Sequence, residues 1–181
     1  MGRLRHRTSP GCTYFITTDT WQNREIFRVS ETAEIVTQRI TSCRDQGAYL
    51  LHEFVVMPNH LHLLLTPAEN ASLERSIQLI KGGSSHKIHQ QRGHRMQIWQ
   101  SGFHDWTVRD VKDYRTKCEY IRLNSVRAGL VERPEDWPYG SASGRFRLDP
   151  MPGNLAGGVI LGAKARDLGK TASVGAEALT P

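Results

Sequence analysis

Two apolar runs meet at a Pro-Asn break in the segment Phe-Val-Val-Met-Pro-Asn-His-Leu-His-Leu-Leu-Leu, residues 54–65. A connection this short carries no crossover, so residues 49–57 and 60–66 are expected to form neighbouring antiparallel strands with Pro58-Asn59 as the turn. Side chains at i and i+2 of a strand share a face, which sets His60 and His62 side by side and turns Leu61 and Leu63 the other way. Two adjacent imidazoles invite a divalent ion. The triplet alone fits two half-buried histidines opening a strand equally well.

Around that hairpin the chain alternates strands and helices. Thr-Tyr-Phe-Ile-Thr-Thr at 13–18 is β-branched and aromatic, which predicts a strand, and Arg3, Arg5 and Arg7 precede it as a basic arm. Ser30 is a candidate N-cap for a helix carrying Ala33, Ile35, Val36 and Ile40 and ending at Gly47. Ser72 opens a second helix whose core stripe is Leu73, Ile77, Ile80 and Ile88, with Arg75, Lys81 and Lys87 on or near its solvent face. Gly82-Gly83 is expected to weaken its middle. Residues 106–108 read as a fourth strand, and Asp110 caps a third helix with Asp113 placed as the far partner of a capping box. The order β-α-β-β-α-β-α predicts an α+β fold, a ferredoxin-like antiparallel sheet (βαββαβ) with an added C-terminal helix. Glycines 153, 157, 158, 162 and 169 then interrupt a thinly apolar segment. The expectation is one domain over 1–148 and a Gly/Ala-rich tail over 149–181, loosely packed or disordered.

At 181 residues the chain is long enough to bury a real core. No run approaches a membrane span, and the arginine-dotted N-terminus lacks the apolar core of a signal peptide, so a cytoplasmic protein is expected. Cys12, Cys43 and Cys118 are odd in number and widely spaced, which supports neither a disulfide framework nor a zinc ribbon. A net charge of +6 and a pI near 9.5 tilt the expected partner towards a polyanion.

The third helix holds the second notable pattern. In Asp-Tyr-Arg-Thr-Lys-Cys-Glu-Tyr-Ile-Arg-Leu-Asn, residues 113–124, Tyr120 and Asn124 stand four apart and share a face, with Lys117 three residues earlier on it. Val111, Tyr114, Cys118 and Ile121 form the stripe expected to be buried. Tyr120 therefore projects, as a functional group or as a rim aromatic.

Several ordered blocks carry a family resemblance: Val-Val-Met-Pro-Asn-His-Leu-His at 55–62, Trp-Gln-Ser-Gly-Phe-His-Asp at 99–105, Tyr-Ile-Arg-Leu-Asn-Ser-Val-Arg-Ala-Gly-Leu-Val at 120–131, and Trp-Pro-Tyr at 137–139. Over roughly residues 10–145 the chain closely resembles the single-tyrosine HUH transposases, and within them the REP-associated tyrosine transposases. The resemblance implies that His60 and His62 hold Mg2+ or Mn2+, that Asn124 supplies a third, amide-oxygen ligand, and that Tyr120 is the nucleophile on the added helix. It implies cleavage and rejoining of single-stranded DNA through a 5′-phosphotyrosine, with hairpin DNA as the ligand. Two imidazoles and an amide leave open positions for a phosphate, as oxygen-seeking Mg2+ and Mn2+ require.

The candidate DNA contacts are Arg3, Arg5, Arg7, Lys81, Lys87, Arg115 and Lys117, together with Arg92 and Arg95, and Trp99 and Trp106 are interleaved as stacking platforms. His104 and Asp105 are candidates for a general base by motif only. Ser125 stands where relatives commonly carry proline, which is expected to loosen the helix end. A monomer is favoured and a dimer is the alternative. Two other functions remain open at this point: a noncatalytic hairpin-binding protein of the same fold, and a metallohydrolase that uses the histidines without the tyrosine.

Overall fold

The computed structural model describes residues 8–156. Arg3, Arg5 and Arg7, and the tail beyond 156, lie outside the described residues. The elements follow the expected order: β1 (Tyr14–Asp19), α1 (Ser30–Asp45), β2 (Tyr49–Val56), β3 (His60–Pro67), α2 (Leu73–Arg92), β4 (His104–Thr107), α3 (Val111–Arg122) and a short α4 (Asn124–Arg127). The four strands form one antiparallel sheet in the order β2-β3-β1-β4. Each of the two long helical connections thus joins strands separated by one intervening strand, the split βαβ arrangement of the βαββαβ pattern. No helix among the described residues is long and apolar enough to cross a membrane.

Period-2 alternation divides the strands between two cores. Ile16, Leu61, Leu63, Leu65, Phe54 and Val56 face α1 and α2, where Ala33, Val36, Ile40, Leu73, Ile77, Ile80 and Ile88 complete the larger cluster. Val55, Met57 and Leu64 face the other way and meet Tyr114 and Ile121 of α3 in a smaller one. The expected stripe on α3 is therefore the buried one. An ion pair with a buried carboxylate and a half-exposed guanidinium adds to that docking: Glu53 of β2, next to a bulge between Leu51 and Glu53, binds Arg122 of α3 through Nε at 2.7 Å and through Nη2.

Local chemistry explains the helix starts and corrects two expectations. Ser72 Oγ accepts from the Arg75 N–H at 3.1 Å, and Asp110 Oδ1 accepts from the Asp113 N–H at 2.8 Å, as capping requires. α1 instead takes Val29 as its cap, with no side-chain cap bond: the Val29 carbonyl accepts from the Thr32 and Ala33 N–H groups at 3.1 Å each, and Ser30 is already inside the helix. Gly82-Gly83 does not break α2. A Cβ at Gly83 would lie 2.2 Å from Arg39 Nε, which donates to the Leu79 carbonyl at 2.9 Å. The glycine is there because a side chain from α1 crosses the helix at that point.

β4 starts at His104, two residues before the expected 106, because its ladder with β1 runs from Thr17–His104 to Tyr14–Thr107. The segment expected to loosen from 149 is held at its start. Asp149 receives Arg44 Nε at 2.9 Å and Nη2 at 2.5 Å, accepts the Leu51 N–H on Oδ2 at 2.8 Å, and donates its own N–H to the Leu51 carbonyl at 2.7 Å. Farther along, Leu155 is buried and Asn154 Nδ2 donates to the Gly11 carbonyl at 2.9 Å. Upstream of Asp149 the same returning chain reaches β2 three more times. The Val56 N–H donates to the Tyr139 carbonyl at 2.8 Å, Trp137 Nε1 donates to the Val56 carbonyl at 3.0 Å, and Ser141 Oγ accepts the Phe54 N–H at 3.1 Å.

Candidate active site

The two histidines enter the site from β3, opposite Asp19 and Thr17 of β1. Their ring centroids are 4.7 Å apart at 73°. His62 Nδ1 bonds Thr17 Oγ1 at 2.9 Å, and His60 Nδ1 bonds Asn59 Oδ1 at 2.8 Å, so a short polar side chain orients each ring. His62 is 4% exposed. Burial pushes its pKa down to about 3, and the neighbouring His60 pushes in the same direction. Burial also lowers the pKa of His60, against the opposing pull of Asp19 and of a hydrogen bond to Asn124. Both rings are therefore neutral near pH 7, the state in which an imidazole binds a metal.

α3 brings the tyrosine to this pair. The Tyr120 ring stands edge-on to His62 at 5.2 Å and edge-on to Phe15 at 5.7 Å, while Phe15 stacks on His62 at 5.4 Å. Tyr120 remains 38% exposed. α3 ends at Arg122, yet Leu123 keeps near-helical angles, so the chain continues into α4 with little change of course. That path delivers the Asn124 side chain to His60. Ser125 does not loosen the turn: it is buried, and its carbonyl accepts from the Leu130 N–H at 3.0 Å.

Among the described residues no three His, Cys, Asp or Glu side chains gather as a metal cluster. The residues present fit a divalent cation only as two neutral imidazoles plus the Asn124 amide. In each histidine Nδ1 is already engaged, which leaves the other nitrogen as the ligand atom. Such a mixed nitrogen and oxygen set suits Mn2+ and tolerates Mg2+.

Of the expected basic DNA contacts among the described residues, only Lys117 reaches this group. Its Nζ sits 4.9 Å from the Phe15 ring centroid and 5.3 Å from that of Trp106. Lys81 is committed elsewhere: on α2, across the sheet, its Nζ donates to Thr18 Oγ1, the Gln100 carbonyl and the Gly102 carbonyl at 3.0, 2.7 and 2.6 Å. Burial brings its pKa down to about 8. Lys87, Arg92 and Arg95 belong to α2 and the loop after it, far from the tyrosine helix, and Arg115 is exposed on α3 beside a cleft formed with Arg122 and Glu135. Trp99 is 6% exposed, tilts against Phe27 at 4.8 Å and donates Nε1 to Ser84 at 3.1 Å, so it is core. His104 pairs with Thr17 on the side away from β3, two strand spacings or roughly 9–10 Å from His62. Asp105, next to it, alternates to the other face.

Sequence reasoning missed Phe15, Thr17, Asn59 and Arg127. The first two carry the period-2 signal of β1 that places them opposite the histidine face. Arg127 lies seven residues, two helical turns, beyond Tyr120, and its guanidinium stands 5.5 Å from the tyrosine ring centroid.

Comparison with known proteins gives the chain a family. A family model described as "Transposase IS200 like" matches residues 8–124. A REP-associated tyrosine transposase of Escherichia coli strain K12 is 26% identical over 155 residues, spanning 82% of this chain and 90% of that one. The solved structure of a REP-associated tyrosine transposase bound to a REP hairpin shares the fold, with a TM-score of 0.65 at 23% identity over 93% of this chain and 100% of the other. The matched segment runs from ahead of β1, through both histidines and Tyr120, to Asn124: the chain belongs to the IS200-like transposase family, and over most of its length it is similar to a REP-associated tyrosine transposase.

Proposed function

We propose that this protein cleaves and rejoins single-stranded DNA beside a hairpin, with Tyr120 as nucleophile and a divalent cation on His60, His62 and Asn124. The observation that carries this reading is the packing of the exposed Tyr120 against the buried, neutral His62, with Asn124 on the neighbouring His60. Hairpin DNA is the expected ligand because the similar solved structure is of a protein bound to one.

Tyr120 Oη attacks the scissile phosphorus in line and the P–O3′ bond breaks. The phenolic proton leaves Oη, the 3′-oxygen departs as the free hydroxyl, and the 5′-phosphate stays on Tyr120 as an ester. A 3′-hydroxyl attacking that ester reverses the bookkeeping, so strands rejoin without an external energy source. Bound Mg2+ or Mn2+ would supply Lewis-acid stabilisation of charge on the non-bridging phosphate oxygens. Arg127, over the Tyr120 ring, places a fixed positive charge beside the group that attacks the phosphate. Thr17 and Asn59 hold the imidazoles in one orientation through each cycle. We further propose a monomer acting in cis, with a dimer as the alternative.

The test is a labelled hairpin oligonucleotide with a single-stranded flank, incubated with the protein and Mn2+. A denaturant-resistant adduct is expected with the native protein and none with Tyr120→Phe. Cleavage that survives Tyr120→Phe would replace this reading with metal-dependent hydrolysis, and binding without cleavage by the native protein would leave only a hairpin-binding role.

A further inference from the structure

We propose that Trp106, with Lys117 and Arg109 against its ring, is a stacking platform for one unpaired nucleobase of the strand that passes Tyr120; this rests on the single-stranded DNA reading above. Trp106 is 50% exposed, and with Tyr120 it is one of two large aromatic side chains left open to solvent among the described residues. Both are on the same face. Trp106 pairs across the ladder with Phe15, whose ring meets Tyr120, and Lys117 bridges Phe15 and Trp106. The Arg109 guanidinium stands 5.5 Å from the Trp106 ring centroid.

An exposed indole can simply cover a sheet edge, but then the groups around it would be apolar or acid-paired. Here two cations border the ring, and among the described residues neither makes an ion pair. An apolar partner, or the equally basic edge of a second copy, would have to desolvate both charges. A nucleotide satisfies every group at once: its base has a π-face for the indole, and its phosphates neutralise the cations. The position sets the ligand's place as well. β4 lies beside β1, one strand farther from β3 and its histidines, so the stacked base flanks the scissile phosphate rather than occupying the metal site. Because any base can stack, the platform adds affinity and register without dictating sequence.

The experiment measures binding in the Tyr120→Phe background, where no covalent product accumulates, with hairpins that carry or lack an unpaired flank. Trp106→Ala should weaken binding of the flanked hairpin about tenfold, Trp106→Phe should largely restore it, and blunt hairpin binding should not change. An abasic scan of the flank should find one position that costs the Trp106-containing protein about as much, and costs Trp106→Ala nothing further. Equal binding by Trp106→Ala, equal losses for flanked and blunt hairpins, or a scan with no sensitive position would each overturn the platform. If Trp106→Ala misfolds, the scan decides with Trp106 in place. Flank-dependent stacking alongside a native protein that forms no adduct would keep the platform and remove the tyrosine chemistry.

Discussion

The two faces of one sheet make an unequal pair. On one, α1 and α2, with 16 and 20 residues, close over a continuous apolar core. On the other, the 12-residue α3 covers only part of the surface and leaves Phe15, His60, Tyr120 and Trp106 in reach of solvent. The same strands supply both: Leu61 and Leu63 face the helix pair while His60 and His62, between and beside them, face the tyrosine. A period of two thus lets a strand carry its aliphatic packing on one side and the proposed chemistry on the other.

Adjacent substitutions break that division most directly. Leu63→Ala should cost about 2–5 kcal/mol of stability, since Leu63 is fully buried and rigid surroundings cannot fill the space; urea unfolding measures it, and cleavage per folded molecule should be unchanged. His60→Ala should do the opposite, lowering adduct formation by more than about a hundredfold, beyond the usual cost of losing a partner that only orients a ligand, with the unfolding midpoint hardly moved and hairpin binding retained. A loss of binding as large as the loss of cleavage would count against a purely catalytic face.

Arg122→Ala probes the joint between the faces. It leaves Glu53 buried without its cation and should cost about 1–3 kcal/mol, at the low end because the arginine is itself half exposed. Adduct formation should fall as well, because α3 loses an anchor two residues from Tyr120; unchanged activity would mean that apolar packing alone holds the helix.

The smallest effect is on pH. Burial lowers the pKa of His52, so the unfolded chain binds its proton more readily than the folded one. The stability this group confers is present above its unfolded value of 6.5 and is lost as pH falls below it, by up to about 1.4 kcal/mol per pH unit. His60 and His62 act in the same direction, so His52→Gln should reduce the slope of stability against pH without abolishing it. A slope that does not change would show that His52 binds its proton equally well in the folded and the unfolded chain.

What was legible in the chain follows from the range of each interaction. The hairpin, the shared face of His60 and His62, and the placement of Tyr120 and Asn124 one turn apart all depend on local periodicity. The fate of Lys81 does not, since the carbonyls of Gln100 and Gly102 that capture it lie about twenty residues on. Trp99 and Trp106 are equivalent as letters; one fills the core because α2 presents Ser84 to it, and the other lies on an edge strand. Asp149 resembled the start of a loose tail because Arg44, 105 positions earlier, gives no local sign of waiting for it.

The returning chain between Trp137 and Asp149 serves the outer margin of β2 at Leu51, Phe54 and Val56, though it is not itself a strand. β2 is among the most apolar strands and, by position, an edge. Exposed, it would be a template for pairing with another chain. With its donors and acceptors taken by one hydroxyl, one carboxylate, one indole and two backbone groups, it offers nothing to extend. Among the described residues the sheet is left with one unpaired margin, β4, and a further strand pairing along Leu51, Phe54 and Val56 would first have to displace the protein's own chain.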